Sequence, residues 1–415
     1  MERLVLLTFL LGVSTTAAPQ SVSSMAVTDL IPTEVAVPLL NNDPLVTSAR
    51  SIMQADMQEA GIIRRSPYEW VATSTAQQRR VRSGPNYNEW NVGVERTIRL
   101  PGKTTADKDI SEATLDESHA NYGEARHAAA QELLALWLDW LAAEQTMEIA
   151  DRGVLSARRS LDAVEKRSRA GDASRLDVNL AKAEMAELLR QGNEAKTRAR
   201  TTWATLSNRF PGVEYRKTAL PVPTKELLGM MDWHERVLAE NDELRKAKAV
   251  LRKAQGLSQR AKAEKLPDPT VGVFTASEQG NGERLYGVSF SMPIPSKSRS
   301  ARYSQALAQE NSARLDAELL QRRIEADVAR NLALATGAYD SYMIAKEGAV
   351  AMAENEAQMQ RAYELGEAEL QALLLARRQA VTAATSALQA QLETVRTQLS
   401  LLVDAHKIWN LDKDD

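Results

Sequence analysis

The chain has 415 residues, with 52 Lys and Arg against 55 Asp and Glu, so its net charge of −3 offers no basic field for nucleic acid. It has no cysteine, which excludes disulfides, thiol chemistry and a lipid anchor on cysteine. Aromatic residues make up 5% with only four Phe, few for one round core of this size, and the wealth of small and helix-favouring residues points to extended helix packing.

Residues 1–18, MERLVLLTFLLGVSTTAA, combine Arg3, an apolar run from Leu4 to Val13 and small residues at Thr16 and Ala18, the pattern of a secretory signal peptide cleaved near Ala18. The run is too short to span a bilayer, and no other stretch approaches 18 uncharged apolar residues, so export leads to the periplasm, the exterior or an outer membrane. Residues 19–42, rich in Pro, Thr and Val without a period, read as an extended segment. A short helix is predicted over 43–63, then strands over 67–78 and 88–100 around a Ser83-Gly84-Pro85-Asn86 turn. Helix signals run from about 105 to 170, resume after Gly171 and stop at Phe210-Pro211-Gly212. After a proline-containing linker over 211–232, a helix over 233–264, strands over 269–278 and 284–294, and a long helical region over 299–405 with its own Gly366 complete the chain before a tail at 406–415.

The order repeats. Gly93-Val94, Pro101 and Lys103 recur as Gly287-Val288, Pro295 and Lys297, each 194 positions later. Gly171-Asp172-Ala173 recurs as Gly366-Glu367-Ala368, and Leu180-Ala181 as Leu375-Ala376, 195 positions later. Two landmarks of different type with nearly one spacing imply a tandem duplication of helix, strand pair and long helical hairpin, repeat 1 over 43–210 and repeat 2 over 233–405. A glycine tolerated inside a helix would hardly recur with its acidic and alanine neighbours, so both glycines are expected at hairpin turns, with Asp172 or Ser174 capping the following helix.

The strands alternate. Trp90, Val92, Val94, Ile98 and Leu100 share one face, with Arg96 the exception, and Tyr286, Val288, Phe290, Met292 and Ile294 do the same in the second repeat. Length and pattern fit outer-membrane strands, although pattern alone slightly favours a soluble sheet with one wet face. Four strands cannot close a barrel, so a membrane location requires several copies to share one. A helix of about 65 residues is on the order of 100 Å long and must pack lengthwise on neighbours. Trp137, Leu138, Trp140 and Leu141 read as packing between helices.

No chemistry is evident. His119 and His127 lie about 12 Å apart along a helix and cannot share an ion within one chain. All four histidines, with His234 and His406, are expected on solvated faces, and Asp412 and Asp414-Asp415 read as a disordered acidic end. No carboxylate–histidine cluster at ligand spacing, nucleophile triad, phosphate loop or nucleotide fingerprint occurs, so no metal, no cofactor and no enzyme activity is expected.

Four stretches carry a resemblance: Gly171-Asp172-Ala173-Ser174-Arg175-Leu176-Asp177-Val178, Asn241-Asp242-Glu243-Leu244, Leu266-Pro267-Asp268-Pro269-Thr270-Val271-Gly272-Val273, and Gly287-Val288-Ser289-Phe290-Ser291-Met292-Pro293-Ile294-Pro295. In their order the chain resembles the TolC-like outer-membrane factors of Gram-negative efflux systems, most of all the outer-membrane component of cobalt–zinc–cadmium type heavy-metal efflux. The resemblance implies a mainly α fold with a small β part: a homotrimer whose α-helical barrel crosses the periplasm and continues into a shared 12-stranded β-barrel in outer-membrane lipid. It implies passive conduction of heavy-metal cations or small toxic compounds, received from a periplasmic adaptor and an inner-membrane RND-type pump. Carried over, the periplasmic tips that dock the adaptor and form the gate are Arg169, Gly171, Ser174, Leu176 and Asp177, and Leu365, Gly366, Glu367, Glu369 and Leu370. Trp90, Val92, Val94, Tyr286, Val288 and Phe290 would face lipid, with Pro101 and Pro295 at the barrel-to-helix junctions. The chain departs from relatives with an acidic ring inside the mouth: Ala372 and Leu375 stand there, leaving Asp177, Glu367 or Glu369 to supply one. The competing readings are a periplasmic adaptor, which usually has β domains on both sides of a single hairpin, and a soluble coiled-coil scaffold, which leaves the aromatic-ended strands unexplained.

Overall fold

A computed structural model describes residues 30–216, 218–225, 232–409 and 411. The predicted signal peptide, residues 19–29 and the acidic end at Asp412, Asp414 and Asp415 lie outside the described residues.

The segment expected to be extended holds a helix, α1 (Thr33–Asn41), with Pro38 inside it. Ala36 and Leu40, one turn apart, are buried against the core, and that burial outweighs the hydrogen bond the proline removes. Helix α2 (Pro44–Arg64) starts at Asp43, whose Oδ1 accepts from the Leu45 amide at 2.8 Å, with Pro44 in the first turn where its missing N–H costs nothing. Strands β1 (Val71–Arg79) and β2 (Tyr87–Thr97) form a hairpin that leads into α3 (Pro101–Ala170) and α4 (Arg175–Arg209).

The second repeat differs at its start. The single helix expected over 233–264 is two, α5 (Trp233–Glu240) and α6 (Asp242–Ala263). Asn241 divides them because its Oδ1 accepts from the Leu244 amide at 2.7 Å, a cap that needs extended backbone and stops the helix before it. Strands β3 (Thr270–Glu278) and β4 (Glu283–Ser291) follow, then α7 (Lys297–Leu365) and α8 (Leu370–Asp404).

The two long helices have 70 and 69 residues, about 105 Å each, and run the length of the molecule. Toward the sheet α2, α3, α6 and α7 lie side by side in that order; away from it the row is α4, α3, α8, α7. The rows meet at an equatorial core in which Leu133, Trp137, Leu138, Trp140 and Leu141 of α3 pack on Leu206 and Phe210, on Leu399 and Leu402 of α8, and on Leu30 and Ile31. The tryptophans cluster, Trp140 lying 4.9 Å between ring centroids from Trp137, edge to face, and from Trp203, tilted. This is the helix packing read from the sequence. The linker after α4 lies along α8, where Gln391 donates to the Leu220 and Pro221 carbonyls at 3.3 and 3.0 Å.

Helix α7 is unlike α3. Of its 69 residues only Ala317, Ile324, Val328, Ala335, Tyr342 and Tyr363 are buried among the described side chains. Leu307, Leu315, Leu319, Leu334 and Ile344 are exposed along it.

Candidate functional site: the strand face and the hairpin tips

The four strands make one antiparallel sheet in the order β1-β2-β3-β4, so the repeats join through β2 and β3, and β1 and β4 are open edges. The register pairs Val94 with Val273 and Val273 with Val288, and Val92 with Thr275 and Thr275 with Tyr286, which puts these side chains on one face. On that face Tyr286, Val288 and Phe290 are 82, 78 and 68% exposed, far too open for a sheet packed on its own core. The other face carries Thr73, Thr75, Asn91, Glu95, Ser289 and Ser291.

Both ends of the apolar face carry an arginine lying on a tryptophan. Arg96 is 5.4 Å from the Trp70 ring centroid on the helix side, and Arg284 is 5.1 Å from that of Trp90 on the turn side. Arg96, the exception in the alternation, is thus a boundary residue. Six residues along β2 between Trp90 and Arg96 span about 20 Å, near the height of an outer-membrane apolar band. On the opposite face Phe274 lies between Gly93 and Gly287, its cross-strand partners, and a Cβ at Gly287 would strike its ring. The repeated Gly-Val pairs therefore make room for one aromatic side chain.

A charged knot joins sheet to helices. Asp268, just before β3, accepts from Lys103 Nζ at 2.8 Å, Tyr68 Oη at 2.7 Å and the Leu100 amide at 3.0 Å, and Lys103 and Asp268 are both buried. Burial alone would push the Asp268 carboxyl up; the hydrogen bonds from Lys103, Tyr68 and Leu100 outweigh it and hold it below the usual carboxylate range. Beside it Arg99 and Arg260 both bond Asp107, at 2.8 and 2.7 Å. Pro101 is the first residue of α3, and Pro295 is exposed between β4 and α7. Sequence reasoning quoted Asp268 only within a motif and missed Lys103 and Tyr68 as its partners, since 165 and 200 positions separate them from it.

At the opposite end the long helices turn back. Gly171 has φ +89° and Gly366 φ +77°, the left-handed region that excludes most side chains. Asp172 N–H reaches back to Arg167 O at 2.9 Å and Glu367 N–H to Ala362 O at 2.9 Å, so both α3 and α7 close with the same capping motif. Ser174, rather than Asp172, caps α4: its Oγ accepts from the Asp177 amide at 3.1 Å while Asp177 Oδ2 accepts from the Ser174 amide at 3.0 Å. Glu369 makes no such cap on α8.

Of the expected tip residues, Arg169, Gly171, Ser174, Leu176, Leu365, Gly366, Glu367 and Glu369 are exposed, and both Leu176 and Leu365 are 66% so. Leu370 is not available for docking: it is buried with Val164, Ala181, Tyr363, Leu373 and Leu374, because its place in the first turn of α8 faces α3 and α4. Asp177 is half-buried and engaged in the Ser174 cap. Ala372 and Leu375 are exposed. Behind the tips Arg377, 1% exposed, donates to Ser160 Oγ at 2.9 Å, and Arg378 donates to the buried Glu184 at 2.8 Å, so α8 is bonded to both helices of the first hairpin.

Two histidines depart from the solvated faces expected for them. His406 is buried and His127 is half-buried beneath it, because the residues after α8 fold back on α3. Among the described residues no group of His, Asp or Glu side chains is placed to hold a metal ion, and no helix is long and apolar enough to cross a membrane.

Residues 37–209 match the model of the outer membrane efflux protein family. The match covers the first strand pair and first helical hairpin. Among solved structures it is similar to CusC, at 15% identity over 90% of this chain and 91% of that one, with a TM-score of 0.71. The Campylobacter jejuni CmeC outer membrane channel matches over 92% of this chain and 86% of its own, at 15% identity and a TM-score of 0.70. The open-state Neisseria gonorrhoeae MtrE outer membrane channel matches over 93% of both chains, at 19% identity and a TM-score of 0.66. Comparison with curated proteins gives no match. The chain thus shares the fold of these outer-membrane channels across nearly its whole length.

Proposed function

We propose that this protein is the outer-membrane channel of a tripartite efflux system, three copies sharing one 12-stranded barrel and one α-helical barrel, and that substrate passes through it passively. The observation that carries the reading is the sheet: its apolar face is open and both edge strands lack partners. An open edge is not tolerated in lipid, and β1 of one copy beside β4 of the next removes every edge when the ring closes. The exposed leucines of α7 lie along the matching edge of the helical rows, where a second copy would cover them.

The tips at Gly171 and Gly366 form the periplasmic mouth in this reading, and Leu176, Leu365 and the backbone beside the two glycines meet an adaptor protein that connects the channel to an inner-membrane pump. Heavy-metal cations are the favoured substrate class by resemblance, with small toxic compounds the alternative. Of the three carboxylates expected to supply an acidic ring, Glu367 and Glu369 are exposed and free of the cap that engages Asp177.

Membrane extraction tests the reading. Recovery from outer membranes only with detergent, as a trimer by native mass spectrometry and with single-channel conductance in planar bilayers, is expected. A monomer in the soluble periplasmic fraction would overturn it in favour of an adaptor or scaffold.

A further inference from the structure

The residues after α8 are held tightly against the core. Ala405, Ile408, Trp409 and Leu411 are buried, and Trp409 Nε1 donates to the Ile31 carbonyl at 3.0 Å. This strap turns at His406 and Trp409, with φ +51° and +59°, left-handed backbone held without glycine by its packing. Beside it lies a cavity of about 340 Å³ whose walls include His119 and Arg126 of α3, Asp242, Arg245 and Lys248 of α6, and His406.

Two imidazoles meet there. The His127 and His406 rings are 5.9 Å apart and tilted. His127 Nε2 is 3.3 Å from Asp404 Oδ1 at the end of α8, an oxygen that also accepts from Gln131 at 2.8 Å. His406 Nε2 is 3.9 Å from Asp242 Oδ2, and Asp242 Oδ1 accepts from Arg245 at 3.1 Å. The Asp242 carboxylate fits because residue 123 is glycine; a Cβ there would collide with it. We infer that His127 is a proton-operated clamp: its protonated imidazole, bonded to Asp404 and lying against the His406 ring, fastens the strap and the end of α8 onto α3, and loss of that proton on the alkaline side loosens them.

The surroundings favour that proton. From α3 the pair is faced by Glu124 and Arg126, with Asp116 and His119 farther along the cavity. From α6 it is faced by Asp242, Glu243, Arg245 and Lys246, with Lys248 and Arg252 on the cavity wall, and Arg252 bonded to Asp116 at 2.8 Å. Asp404 is the carboxylate at the end of α8. Burial pulls the His127 imidazole down, but its bond to Asp404 and the charges of Asp404, Glu124 and Asp242 outweigh that and raise it above its ordinary value. Burial likewise raises the Asp242 and Glu124 carboxyls. The sign follows from His127: a raised folded value stabilises the clamped state fully below the unfolded imidazole value of about 6.5, and the gain disappears as pH rises through the folded value. Acid tightens the clamp.

Hydrogen exchange of the full chain in detergent, corrected for the intrinsic effect of pH, tests this. Amides over 400–409 are expected to be about fivefold better protected at pH 6 than at pH 8. His127→Gln, which keeps a hydrogen-bond donor but cannot charge, is expected to flatten that difference. A flat profile in the unaltered protein, or the same slope in the variant, would overturn the clamp. Should the variant fail to fold, imidazole C2 exchange of the unaltered protein decides: a His127 midpoint at or below about 6.5 refutes it.

Discussion

Lys103 and Asp268 show what one ion pair does at the border between sheet and helices. Both are buried, and Tyr68 and the Leu100 amide complete the carboxylate's bonds, tying the segments that lead into β1 and β3 to the start of α3. Removing one partner leaves the other charged and buried, which costs about 3–5 kcal/mol, whereas removing both costs much less. Asp268→Ala is therefore expected to lower the denaturation midpoint sharply, and adding Lys103→Met to recover part of the loss. Because the Asp268 carboxyl is held below its usual range, its contribution is present above the unfolded value of about 3.9 and disappears as pH falls through the lower folded value. Acid titration of the thermal midpoint below pH 4 should be shallower in Asp268→Ala than in the unaltered protein.

The two hairpin tips share a turn but not a cap. With φ +89° and +77°, Gly171 and Gly366 sit where a β-branched residue is strained by about 1–2 kcal/mol or more, a cost confined to a solvent-exposed turn. Gly171→Val or Gly366→Val is therefore expected to distort the tip and abolish efflux while the trimer remains assembled. Normal resistance to exported compounds in both variants would remove the tips from the gate. Ser174→Ala deletes half of a capping box, worth about 1 kcal/mol, and should raise amide exchange in the first turn of α4. Glu369→Ala should leave the first turn of α8 unchanged, since its side chain caps nothing. Local exchange rates compare the two directly.

Over the whole molecule, the rows of helices end in a helix that is barely covered. Leu315 and Leu319, one turn apart on α7, are 48 and 68% exposed. Placing a charge there costs nothing in a lone protomer and much in a packed interface. Leu319→Glu is expected to lower the trimer fraction in native mass spectrometry without changing the helix content by circular dichroism. A trimer of unchanged stability would move the interface elsewhere.

Local chemistry was legible along the chain. The mainly helical class, the strand alternation and the two glycine breaks each depend on residues a few positions apart, and the duplication at 194 and 195 positions gave the elements their order. Where neighbours in space compete with neighbours in sequence, the reading failed. Pro38 sits in a helix because Ala36 and Leu40 reach a core built from distant segments, and Leu370 is covered by the other hairpin. His127 and His406 leave the solvent because the strap folds back across 279 positions. The partners of Asp268 and Arg377, likewise, are set by how the repeats lie side by side. The sequence by itself determined the alternation of two strand pairs with two long helical hairpins and where those hairpins reverse, since periodicity and backbone preference act over one or two turns. Only the tertiary structure decided which charges are buried together and which apolar faces stay open, because those depend on segments brought together across the full length of two 100-Å-scale helices.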